Sequence, residues 1–274
     1  MKRRSILLLV FLLCMVLVIS ITGCSQAESS ANTQELLIFA AAGTRPPLDE
    51  AANIFEQKYG TRVLVNYGGG GEVLSNMVIS KTGDIYIAPE QRFMDSARKQ
   101  EAIKNDAAIR SIAFMIPVIG VKKGNPQNIQ TLDDMSRPGI KIIMGNPETM
   151  MLGYLTPEIL QKAGVHDTVE PNVVTRVPQV AAMVTALMMN QADAGVIWHS
   201  FGTTSAMDID IIWIPQEYVT GIGEIQAAVS AYSQRTEIAE KFIDFLTSDE
   251  GNEIFQKNGY ITDREEADKY WMGN

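Results

Sequence analysis

Short apolar runs of strand length alternate with segments of helical spacing along nearly the whole chain, and no other feature restricts the available folds so tightly. Leu36 to Ala42, LLIFAAA, is apolar without a break, the pattern of a strand buried on both faces. Leu48, Ala51, Ala52 and Phe55 then recur at helical spacing, and Gly60 is a stop signal. TRVLVNY predicts a second strand, EVLSNMVISKTG a helix, DIYIAP a third strand and EQRFMDSARKQEAI a third helix. Such alternation with short turns implies a parallel α/β sheet with right-handed crossovers. The second half repeats the grammar. AFMIPVIGVKKGNP reads as one strand ending in a turn, TLDDM opens a short helix, and GIKIIMGNP is strand then loop. TPEILQKAG and VPQVAAMVTALMMNQADAG read as helices, VIW, IDIIWIP and EIQAAVSAYS as strands. Two helices split at Ser248 close the fold. With 274 residues, this order gives two α/β lobes, the second inserted into the first, with a cleft between them.

Two strand-to-helix junctions carry glycine: Gly43-Thr44 after the first strand and Gly68 to Gly71 after the second. There, free backbone N–H groups and the positive end of a helix dipole face outward. Glycine admits a ligand closely because no Cβ intervenes. The four-glycine run does not suit a nucleotide. Glu72 follows Gly71, so the Lys and Ser/Thr of a P-loop are missing, and Val73 stands where a dinucleotide fingerprint needs its third glycine. A glycine-rich turn with no ligand is the alternative, although four glycines cost backbone entropy on folding. The net charge of −9 argues against a nucleic-acid binder.

The amino terminus has a basic start (Lys2, Arg3, Arg4), a long apolar stretch and Ile21-Thr22-Gly23-Cys24. This resembles a bacterial lipoprotein signal (residues 1–23), which implies cleavage, acylation of Cys24 and a membrane-held protein on the extracytoplasmic face. An uncleaved anchor is the other reading. Residues 24–34 form a polar tether. Cys14 would leave with the signal and Cys24 would carry lipid, so the folded part has no thiol for a disulfide, a nucleophile or a metal.

LLIFAAAGTRPPLDEAANIFEQKYGTRVLVNYGGGGEVLSNM resembles the opening of the molybdate-binding proteins of ABC importers. So do GDIYIAPEQRFMDSA, VIGVKKGNP, IIMGNPETMMLGY, ADAGVIW and FIDFLTSDEGNEIFQKNGY, from about residue 36 to about residue 261. The resemblance implies a two-lobe type II periplasmic-binding-protein fold, each lobe a mixed, mostly parallel sheet flanked by helices, with hinge crossovers. Residues 35–112 plus 219–262 would form lobe 1, residues 113–218 lobe 2 and residues 263–274 a C-terminal tail. It further implies a monomer that holds a small oxyanion such as molybdate or tungstate in its cleft, without metal or cofactor, and passes it to an ABC permease and its ATPase.

Carried over position by position, the ligand-binding set is Gly43, Thr44, Arg45, Gly69, Gly70, Gly71, Leu152, Gly153, Val180 and Trp198. The family's two serines fall at Gly43 and Gly70, and its tyrosine at Trp198, so three hydroxyl donors are absent. Pro46 and Pro47 remove two amides from the first helix. Arg45 could grip an oxyanion bidentately or stand solvated. Glu72 would repel an anion if it faced inward. Glu217 aligns loosely with a carboxylate of tungstate-binding relatives.

Met150, Met151, Met183, Met188 and Met189 make the second lobe methionine-rich, a soft-metal set or, more commonly, core filler. His199 could line the cleft or pack at its rim; His166 falls in a loop. No nucleophile–base order supports an enzyme. An organic acid as ligand, a sensory ligand-receiver and a membrane-anchored enzyme stay open as alternatives.

Overall fold

The computed structural model describes residues 35–103, 107–203 and 208–273. The expected signal sequence, Cys24 and the expected tether lie outside the described residues. In chain order the first stretch forms β1 (Glu35–Ala41), α1 (Arg45–Tyr59), β2 (Arg62–Gly68), α2 (Gly70–Ser80), β3 (Ile85–Ala88), α3 (Gln91–Lys99) and β4 (Arg110–Met115). The middle forms β5 (Pro117–Lys122), β6 (Ile142–Gly145), α4 (Met151–Lys162), α5 (His166–Val169), β7 (Val173–Val177), α6 (Val180–Met188), β8 (Ala194–Trp198), α7 (Ser200–Thr203) and β9 (Ile209–Trp213). The chain ends with β10 (Gly223–Val229), α8 (Thr236–Leu246), α9 (Asp249–Lys257) and α10 (Arg264–Asp268).

Two five-stranded sheets result, ordered β2-β1-β3-β10-β4 and β7-β6-β8-β5-β9. In the first, β1 runs parallel to β2 and β3, while β10 is antiparallel to β3 and β4. In the second, β6 is parallel to β7 and β8, while β5 is antiparallel to β8 and β9. Burial follows these positions. Interior β3 and β8 are buried throughout, whereas edge strand β2 alternates exposed with half-buried residues. Leu48, Ala51, Ala52 and Phe55 bury the inner face of α1, and Gly60 ends it at φ 67°. Phe55 meets Phe242 of α8 edge-on at 4.9 Å, which locks the closing helices onto the first sheet. Ser248 caps α9 by accepting the Gly251 N–H, which separates α8 from α9.

One expectation fails at a point that matters. AFMIPVIGVKKGNP is not one strand: it breaks at Ile116, with β4 in the first sheet and β5 in the second. Pro117 has no N–H to donate, so it does not extend the β4 ladder and instead stands first in β5, opposite Trp198. Both polar groups of Ile116 find another partner. Its N–H donates to His199 Nδ1 at 3.0 Å, and its carbonyl accepts the His199 N–H at 2.9 Å. The chain crosses back between Trp213 and Gly223. Past Ile261, the segment forms α10, capped by Asp263, and Tyr270 stacks on Trp213 at 4.5 Å.

Candidate functional site

In open α/β sheets the carboxyl ends of strands collect ligands, because helices begin there. Here the carboxyl ends of β1, β2, β3, β6, β7 and β8 all lead to a cavity of about 390 Å³. Five helices of nine residues or more, α1 to α4 and α6, start at its wall, three from the first sheet and two from the second. Amides in a helix's first turn have no intrahelical acceptor, and the dipole adds partial positive charge. The rest of the wall is largely apolar. Pro46, Pro47, Pro89, Phe93, Met115 and Ile225 come from the first-sheet side, Met150, Val180, Trp198 and Phe201 from the second.

Gly43, Thr44, Arg45, Gly69, Gly70, Val180 and Trp198 all border this cavity. Their chemistry differs from one to the next. The Thr44 hydroxyl donates to the Ala41 carbonyl at 2.7 Å, so its proton is committed to the backbone. The Arg45 amide closes on Ala42 O, while its exposed guanidinium lies 4.0 Å over the Tyr67 ring. Tyr67 in turn donates to Asp49 at 2.6 Å, and burial together with that bond raises its pKa. Gly43 leaves open space, since a Cβ there would meet only Phe201, at 3.9 Å.

The four-glycine run is not a nest of left-handed residues; none of Gly68 to Gly71 has positive φ. Its tightest demand is at Gly70, where a Cβ would sit 2.7 Å from Pro89 and 2.9 Å from Phe93. The helix can start against α3 only without a side chain there. Glu72 faces outward and accepts the Gly69 N–H at 3.1 Å, which commits that amide within the turn.

Gly71, Leu152 and Gly153 stand outside the wall. Leu152 is fully buried in the core. A Cβ on Gly153 would lie 2.4 Å from the Asn146 carbonyl carbon, so this glycine serves the packing of α4 on the preceding loop. Met150 lines the cavity, Met183 is core, and Met188 and Met189 are exposed. Among the described residues no group of three or more His, Cys, Asp or Glu could hold a metal ion. Glu217 is exposed away from the wall. His199 is buried behind it, its pKa pushed down to about 4 by that burial. Nδ1 accepts, so the neutral ring carries its proton on Nε2.

Several polar residues on the wall escape the sequence reading, Tyr260, Ser200 and Glu90 among them. Tyr260, from beyond α9, donates to the Gly43 carbonyl at 2.5 Å and pairs with Ser200; burial, partly offset by Ser200, pushes its phenol up to about 12. Glu90 caps nothing in its own helix. Its carboxylate, 5% exposed, accepts the Met151 N–H of α4 at 3.3 Å and pairs with Arg92 at 3.0 Å. Glu90 stands two residues past the third strand, as Gly43 stands two past the first and Gly69 one past the second. That was the available signal.

A family model described as bacterial extracellular solute-binding protein matches residues 36–261. The molybdate-binding protein ModA of Mycobacterium bovis is 23% identical over 238 residues, covering 86% of this chain and 88% of its own. YvgL of Bacillus subtilis, described as an ABC transporter substrate-binding lipoprotein, is 23% identical over 266 residues, 93% of this chain and 98% of its own. Among solved structures, PEB3 of Campylobacter jejuni with bound L-phospholactate superposes with a TM-score of 0.71 at 20% identity, over 82% of this chain and 99% of that one.

Proposed function

The chain belongs to the family of bacterial extracellular solute-binding proteins, and on that premise we propose that it captures an oxyanion-bearing solute between its lobes and presents it to an ABC importer. One observation carries this reading. Five helix N-termini from both sheets, with the Arg45 guanidinium beside them, open onto a single cavity. An anion held there gathers dipoles from both lobes at once, so closing the lobes strengthens its binding. Molybdate and tungstate are the first ligands to test, in line with the molybdate-binding relatives. A lipid on Cys24 would keep the protein beside its permease, and the YvgL description is consistent with such an anchor.

A second ligand class has specific support. At about 390 Å³ the cavity falls in the range that takes organic ligands, and its wall is mostly apolar. A bare tetrahedral oxyanion uses little of that surface. An organic anion with a phosphoester or carboxylate head would fill it, and the PEB3 structure holds a ligand of that kind.

Titration calorimetry with molybdate, tungstate, sulfate, phosphate and small phosphorylated or carboxylic acids should reveal one saturable site. Mass spectrometry of gently purified protein should show any organic solute that travels with it. If no anion binds and none is carried along, the oxyanion reading falls.

A further inference from the structure

A buried carboxylate inside an anion-binding cavity demands an explanation. Glu90 belongs to the first-sheet lobe and reaches across the cleft to the first amide of α4, the kind of donor an incoming anion needs. Its other oxygen pairs with Arg92, which is partly exposed and screened by water. In this position the side chain opposes an anion twice: it carries negative charge into the cavity, and it occupies a donor.

The remaining charged groups do not cancel this opposition. On its own helix α3 it faces Arg92 alone. From β3, the buried Tyr86 phenol lies close enough to feel its charge and has its own pKa raised, by burial first and by Glu90 second. From α2, Glu72 turns outward. From α1, Arg45 stands on the cavity rim against Tyr67. From α4 only the Met151 amide reaches it, and the first turn of that helix has no acidic residue.

Resting on the reading of this cavity as an anion site, we propose that Glu90 is a proton-coupled gate: binding of a fully deprotonated oxyanion drives uptake of one proton from solvent onto its carboxylate. Once protonated, Glu90 changes from acceptor to donor. It releases the Met151 N–H to the ligand and offers its own O–H to a second ligand oxygen. A ligand that brings its own proton, such as a singly protonated phosphoester, satisfies an ionised Glu90 directly and needs no uptake. Glu90 thus sets which protonation states of the solute the site accepts. Desolvation already raises its pKa in the empty cavity, with Arg92 and the Met151 amide opposing, and an anion alongside raises it further. Between those two values each bound anion carries in one proton, and affinity falls by up to about tenfold per pH unit as the solution becomes more alkaline.

The test titrates wild-type protein and Glu90→Gln with molybdate and with sulfate, neither of which titrates appreciably between about pH 5.5 and pH 8. Calorimetry in two buffers of different ionisation enthalpy counts the protons. The wild type should take up close to one proton per anion and weaken with rising pH, while Glu90→Gln should take up none and bind independently of pH. Binding by Glu90→Gln where the wild type is silent also supports the gate. A wild type that binds without proton uptake overturns it, as does a slope that survives in Glu90→Gln, and both results leave the anion site standing. Silence of both proteins at every pH removes the anion site and this role together. Should Glu90→Gln fail to fold, the wild-type proton count decides alone.

Discussion

The sharpest thermodynamic prediction concerns His199, which joins the two sheets by holding both polar groups of Ile116. Its imidazole is pushed down to about 4 by burial, against about 6.5 in an unfolded chain. For a base whose folded pKa is depressed, the unfolded state takes the proton first. Stability is therefore intact above pH 6.5 and is lost as pH falls toward 4. Linkage puts the loss between pH 7 and pH 5 at about 2 kcal/mol, growing to about 3 kcal/mol near pH 4. For a domain of this size, 2 kcal/mol corresponds to about 4–8 °C in melting temperature. The control is His199→Asn, whose amide oxygen can still accept the Ile116 N–H but does not titrate. Urea unfolding of both proteins at pH 7 and pH 5 gives two stability differences. The wild type should lose about 2 kcal/mol more than the variant over that interval. The raised carboxylate of Glu90 acts with the opposite sign, gaining stability as pH falls, but it is common to both proteins and cancels. Equal losses in wild type and His199→Asn would refute the argument, because the histidine would then be free to charge without disturbing the fold.

Other expectations are testable by substitution. Gly43→Ser has room for its side chain and adds a hydroxyl at the cavity; a hydrogen bond to an ionised group contributes about 1.5–3 kcal/mol, so calorimetry should show tetrahedral oxyanions binding about tenfold tighter or more. Gly70→Ser drives its side chain into Pro89 and Phe93 and should cost about 1–3 kcal/mol in urea unfolding, with no gain in affinity. Gly153→Ala strikes backbone at 2.4–2.5 Å and should lower stability by at least about 2 kcal/mol, although it stands outside the cavity wall. Arg45→Gln removes the cation that stacks on Tyr67 and should weaken anion binding about tenfold while leaving the melting temperature nearly unchanged.

Much of the architecture could be read along the chain, because each local signal agreed with the element it specified. Phe55 and its helical partners, the Gly60 stop and the Ser248 cap are examples. The strand break at Ile116 was missed although Pro117 beside it was a signal. Apolar residues run straight through it, and the partner that makes the break possible, His199, is 83 residues away. Both glycine junctions border the cavity, but the reason for each glycine was not legible. Gly43 leaves space, whereas Gly70 serves contact with Pro89 and Phe93. Leu152 and Gly153 show the same limit: family correspondence placed them near the ligand, while their side-chain positions face core and loop. Glu90 was missed because a carboxylate before a helix ordinarily caps that helix, and only the fold reveals that this one reaches α4 instead.

The placement of β10 has a consequence for how the polypeptide assembles. Every strand of the second sheet lies in one uninterrupted span, from Pro117 to Trp213, whereas the first sheet needs Gly223–Val229 to join β3 to β4. Contacts between sequence-distant segments form late, since the chain between them must first be ordered or looped out. The inserted half can therefore mature by itself, while the half that begins the chain waits, open at its middle, for a strand synthesised more than a hundred residues later.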